Sequence, residues 1–103
     1  MTAITMTEIM DDLRAADEIT RRFERRYWLS STDFYTLYVK GLLDDGEHTE
    51  DFALWAGFHE IKLDREKALT QLSNQRMHMF QSQTSLGLIH LAPPEPALDV
   101  VPA

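Results

Sequence analysis

A chain of 103 residues with a formal charge of −7 forms one domain at most, and its acidity opposes non-specific attraction to nucleic acid or an anionic membrane, both of which require Lys and Arg in excess. Its 44% hydrophobic residues are enough to build a core, while the lack of any cysteine excludes disulfides, thiolate metal sites and thiol nucleophiles together. No run of about 18 apolar residues is present to span a membrane.

The first residues, with Glu8, Asp11 and Asp12, lack the basic and apolar regions of a signal peptide, so the expected location is the cytoplasm. An acidic chain suits a basic partner.

All four prolines, at 93, 94, 96 and 102, lie near the end of the chain, which leaves positions 1 to 92 permissive for long helices. Thr5-Met6-Thr7-Glu8 has the form of a capping box, and Ile9, Leu13, Ala16, Ile19, Phe23 and Tyr27 advance by three or four. The spacing predicts a first helix running to about Tyr27 or Trp28. Its charges are graded, from Asp11, Asp12, Asp17 and Glu18 to Arg21, Arg22, Arg25 and Arg26, in the sense that complements the helix dipole and allows Glu18 to pair with Arg22. Such a gradient reads as stabilisation of a solvated helix. The competing reading is an arginine patch for an acidic surface or a phosphate backbone.

Ser30 or Ser31, followed by Asp33, is a helix-start signal, and Phe34, Leu37 and Tyr38 supply an apolar face. Gly41 is placed to end this short second helix in the left-handed conformation. Asp44-Asp45-Gly46-Glu47-His48 is a turn and not a calcium loop, because setting Gly46 at the sixth loop position puts Gly41 and Phe52 where the outer carboxylates belong.

Thr49, Glu50 and Asp51 open a third helix that can continue to about Gln83. Leu54, Phe58, Ile61, Arg65, Ala68, Leu72, Gln75 and Met79 recur in four-three spacing along it, widened by Trp55, Leu69 and Phe80. At about 1.5 Å per residue such a helix outspans a compact domain of this size. Either it breaks near Ser73-Asn74, or its far end meets something outside the domain. Gly57 inside the helix predicts a close helix contact.

Nine of the ten aromatic residues lie between Phe23 and Phe58, placing the core where the end of the first helix, the second helix and the start of the third meet. Met77, Met79 and Phe80 are remote from it, so a partner, a second copy or an exposed helix end accounts for them. Leu86, Leu88, Ile89 and Leu91 precede Ala92-Pro93-Pro94-Glu95-Pro96, after which no helical period remains. This segment reads as a flexible tail that can become a docking peptide on a partner.

The histidines at 48, 59, 78 and 90 have no metal-ligand spacing, and His59-Glu60-Ile61-Lys62-Leu63 lacks the second histidine of H-E-x-x-H. His59 and Glu60 are adjacent on a helix and point about 100° apart, which does not suit an acid-base pair. No phosphate-binding glycine motif or nucleophile elbow is present. The expectation is therefore binding rather than catalysis, with no metal and no cofactor.

Leu29-Ser30-Ser31-Thr32-Asp33-Phe34-Tyr35, followed by Gly41-Leu42-Leu43-Asp44-Asp45 and by Asp51-Phe52-Ala53-Leu54-Trp55-Ala56-Gly57-Phe58, resembles short bacterial helical proteins of the antitoxin type over about residues 23–70. The resemblance implies a small protein that binds and silences a toxin, often as a dimer and often with a flexible terminal segment laid across it. Promoter binding, common in that group, does not fit the acidity and the lack of a helix-turn-helix reader.

The combined expectation is an all-α chain, with a helical domain over 1–83 made of two N-terminal helices and a long third helix, followed by a Pro-rich flexible tail over 84–103. Its expected function is antitoxin-like binding of a basic protein through Arg65, Arg76, Met79, Phe80, Leu88, Ile89 and Leu91. The alternative is a self-assembling homo-oligomer built on the third-helix seam. A catalytic role resting on His59 or Glu60 is the remaining reading.

Overall fold

The computed structural model describes residues 2–43, 46–83, 87–89, 91 and 95–100. Three helices, α1 (Met6–Tyr27), α2 (Ser31–Val39) and α3 (Thr49–Gln83), form a small all-α fold, to which the strands β1 (Thr2–Thr5) and β2 (Ala97–Val100) add a two-stranded ribbon.

The helix boundaries follow from local chemistry. At the start of α1 the Glu8 N–H donates to Thr5 Oγ1 and the Thr5 N–H donates to Glu8 Oε2, both at 3.1 Å, so the capping box is complete. Ser30 caps α2 by accepting from the Asp33 N–H at 3.1 Å. Beyond its end, the Leu42 N–H reaches the Leu37 carbonyl at 3.2 Å and the Gly41 N–H the Tyr38 carbonyl at 3.0 Å. That pair of bonds requires left-handed backbone between them, and Gly41 supplies it with φ 72°. α3 runs unbroken for 35 residues, without the break left open near Ser73-Asn74. Neither residue is a strong enough helix breaker to force one.

α1 and α3 lie antiparallel. Successive cross-links show it: Tyr27 Oη donates to Asp51 at 3.0 Å, Lys62 Nζ meets Asp17 at 3.2 Å, and Arg65 Nε meets Asp12 at 2.7 Å. At about 1.5 Å per residue α1 is about 33 Å long and α3 about 52 Å, so the far end of α3 overhangs the start of α1. The molecule is accordingly elongated, 61 × 30 × 22 Å, with a radius of gyration of 18.2 Å against about 13 Å for a compact chain of this length.

Two hydrophobic clusters stand along this pair. The first joins Phe23, Phe34, Phe52, Trp55 and Ala56, with Phe34 and Trp55 stacked at 3.8 Å between ring centroids. The second joins Ile9, Ala68 and Leu72, with Ile4 and Leu98 of the ribbon packed against them.

The buried side of α3 is not the straight four-three seam read from the sequence. In its first half Phe52, Trp55, Ala56 and His59 are buried, whereas Leu54 is 51% and Ile61 39% exposed. Only at Ala68 and Leu72 does the seam turn inward. The reason lies in the neighbours: α2 packs on one flank of the first half and the ribbon on a different face of the second, so the buried stripe winds around the helix.

Two further expectations change. A Cβ at Gly57 would meet nothing within 4 Å, so no close helix approach accounts for this glycine; the aromatic packing beside it is carried by Trp55 and its neighbours on the adjacent face. In the segment 84–103, read as a flexible tail, β2 pairs antiparallel with β1 in the register Thr2↔Val100 to Thr5↔Ala97. The Thr7 N–H also donates to the Glu95 carboxylate at 2.6 Å and the Met6 N–H to the Pro96 carbonyl at 3.2 Å. Glu95 thus serves the free Thr7 amide at the start of α1, and that bond, with those of the Thr7 and Thr5 side chains, holds its carboxyl below the usual carboxylate range. The rest of the expected tail, at 84–86, 90, 92–94 and 101–103, falls outside the described residues.

Candidate functional site

The residues expected to bind a partner separate into two groups. Arg65 is half-buried and bound within the chain: its guanidinium meets Asp12 at 2.7 Å and also Asp64, and the Asp12 bond raises its pKa further. Arg65 therefore ties α3 to α1.

The other six lie toward the overhang and the segment after it. Arg76 lies over the Phe80 ring at 5.2 Å, a cation–π contact between positions four apart on the helix. Met79 is 58% exposed, and beyond the helix Leu88 is fully and Leu91 three-quarters exposed. Ile89 is 42% exposed and Phe80 half-buried. Among the described residues, the described stretch 73–82 of the overhang has no Asp or Glu, so the chain's acidity is concentrated elsewhere.

The body of the molecule holds a connected set of polar groups. Trp55 Nε1–H donates to Ser31 Oγ at 2.8 Å, and Ser31 donates through its hydroxyl at 2.8 Å and its N–H at 2.9 Å to Glu24 Oε2. Arg21 closes the chain on Glu24 Oε1 at 3.0 Å. Burial acts to raise the Glu24 carboxyl, but the bonds from Ser31 and Arg21 prevail and hold it below its ordinary range. This relay pins all three helices together at the aromatic cluster. The sequence marked Ser31 only as a possible cap and gave Glu24 no role.

His59 is buried beside the Tyr35 ring, and its Nδ1 has no hydrogen-bond partner among the described residues. Burial first, then the charge of Lys62, push its pKa down and keep it neutral. Its neighbour Glu60 accepts from Tyr35 Oη at 2.6 Å. Among the described residues no three His, Asp or Glu side chains gather as metal ligands, and no helix is long and apolar enough to cross a membrane.

Three of the four late arginines of α1 are engaged within the chain. Arg21 meets Asp17 at 3.5 Å, Arg22 meets Glu18 at 2.7 Å and Arg26 meets Asp51 at 3.1 Å.

Trp28 is a residue to which the sequence reading gave no role beyond a helix boundary. It ends α1 with φ 56°, in backbone geometry that a bulky side chain disfavours, while 85% of the residue is exposed. The available signal is a tryptophan at a helix C-terminus, where glycine or asparagine ordinarily stands. Comparison of the chain with protein-family models, with curated proteins and with solved structures gives no match.

Proposed function

We propose that this chain is a protein-binding module that holds a basic partner protein with the overhanging end of α3 and the segment following it, and neutralises that partner in the manner of the antitoxins it resembles. The observation that carries the reading is the overhang itself: helix maintained well beyond its last buried residue, Leu72, with apolar Met77 and Met79 left in solvent. Exposed apolar surface gains about 25 cal/mol for each Å² removed from water, and a partner is the direct way to remove it. Division of labour follows from the charge distribution. The acidic body steers a basic protein inward, and the overhang, free of carboxylates over 73–82, makes the apolar contact.

Arg76, Met79, Phe80, Leu88, Ile89 and Leu91 are the contact residues in this reading. Co-expression with the product of the neighbouring gene, followed by calorimetric titration, tests it. Phe80→Ala and Leu88→Ala should each weaken affinity about tenfold or more with unchanged circular dichroism. Unchanged affinity of both variants for a verified partner overturns the assignment.

A further inference from the structure

The chain has no cysteine, so its methionine thioethers are the sulfur that an oxidant meets. Among the described residues these methionines are unequally placed. Met6 is half-buried against the Ile9–Leu72 cluster, whereas Met10, Met77 and Met79 are exposed. Met77 and Met79 also lie beyond Leu72, the last buried residue of α3, and neither belongs to a hydrophobic cluster of the fold. A polar group added to either sulfur therefore leaves both cores intact.

The surroundings of these two sulfurs make such a change consequential. Arg76 lies over the Phe80 ring at 5.2 Å, Met77 precedes Phe80 by three residues and Met79 follows Arg76 by three. Residues three and four apart are neighbours on a helix surface, so the four side chains make one continuous patch. A thioether is apolar and only a weak acceptor, and it suits contact with an aromatic ring. A sulfoxide is polar. On Met79 its oxygen would stand beside the Arg76 guanidinium and compete with the Phe80 ring for it, in a stretch where residues 73–82 include no carboxylate.

We propose that Met77 and Met79 form a reversible oxidation site for hydrogen peroxide, at which conversion to sulfoxides turns the overhang from apolar to polar and stops a free chain from taking up its partner. The last step rests on the partner-binding reading of the overhang. In the reaction a sulfur lone pair attacks one peroxide oxygen, the O–O bond breaks and the S–O bond forms. The sulfur loses two electrons, and the departing hydroxide takes the proton of the transferred oxygen to leave as water. Return requires a dithiol reductant, which becomes a disulfide as the oxygen departs as water; sulfoxide reductases, one for each sulfur epimer, carry this out.

The test compares two full-length chains on a Met10→Leu background, which removes the exposed methionine outside the overhang: one otherwise unchanged, the other also carrying Met77→Leu and Met79→Leu. Leucine has nearly the volume of methionine and no sulfur. Each chain is treated with peroxide for graded times, quenched with catalase and mapped by peptide mass spectrometry, with the melting temperature as control for the fold. Met77 and Met79 should gain oxygen before Met6, with the melting temperature unchanged. Retention on a hydrophobic-interaction column should fall for the first chain, hold for the second, and recover after treatment with both sulfoxide reductases. Affinity of the first chain for the product of the neighbouring gene should weaken about tenfold or more on oxidation, and that of the second should not change. If the untreated chains do not bind that product, the partner-binding reading alone fails, and mass mapping and retention decide the oxidation site. Oxidation of Met6 as fast as that of Met77 and Met79, retention indifferent to peroxide, or undiminished affinity of the oxidised first chain for a verified partner overturns the proposal.

Discussion

Ser31 shows how much one small side chain holds in place. Its hydroxyl accepts from Trp55 and donates to Glu24, joining α3, α2 and α1 at a single oxygen. Ser31→Ala leaves a buried indole N–H unpaired and should lower stability by about 1–3 kcal/mol in urea unfolding. His59 gives a second outcome at this scale. Its folded pKa lies below the ordinary imidazole value of about 6.5, so the unfolded chain binds the proton more readily. The stability this contributes is complete above about pH 6.5 and is lost as pH falls toward the folded pKa. Melts between pH 7.5 and 5 should show the decline, and His59→Gln should flatten it. Trp28 acts in the opposite sense. With its left-handed backbone and exposed ring, Trp28→Asn should raise the melting temperature, by relieving a strain of about 1 kcal/mol. A lower melting temperature would mean that the indole packs favourably despite its exposure.

At the scale of elements, what the sequence made legible is what local chemistry decides. Thr5 and Glu8, Ser30 and Asp33, and Gly41 each act within a few residues, so the ends of α1 and α2 could be read directly. The winding of the α3 stripe could not be. Whether Leu54 or Trp55 faces inward depends on where α2 packs, and one seam of regular spacing cannot record two neighbours on different faces. β1 and β2 were hidden for a related reason: each is four residues long, and their pairing spans nearly the whole sequence. Of the candidate partner residues, the apolar ones were legible as surplus to the core, whereas the ion pair of Arg65 with Asp12 was not legible because it is non-local. Gly57 offers the test for this scale. With open space where its Cβ would stand and ordinary helical backbone, Gly57→Ala should stabilise the fold by about 0.8–1.0 kcal/mol, measured as an increase in the urea midpoint.

Over the whole molecule, the two clusters differ in kind. One is a dense set of stacked rings held by the Trp55–Ser31–Glu24 relay, and the other is a small aliphatic group that relies on Ile4 and Leu98 from the ribbon for cover. Hydrogen exchange should therefore be slowest around Phe23 and Trp55, faster around Ile9 and Leu72, and fastest in α3 beyond Leu72, where burial ends. Uniform protection along α3 would contradict this ordering.

Because the buried stripe winds, α3 also keeps the two clusters in phase. Deleting one residue between Phe58 and Arg65 would turn everything beyond it by about 100° relative to Trp55. Leu72 would rotate away from Ile9, and the overhang would present Met79 in a new direction. Inserting seven residues instead adds nearly two whole turns and displaces that orientation by only about 20°. Seven residues also slide Leu72 and Arg65 about 10 Å along α1, out of reach of Ile9 and Asp12, so a length change in this stretch must keep both the angle and the register with α1.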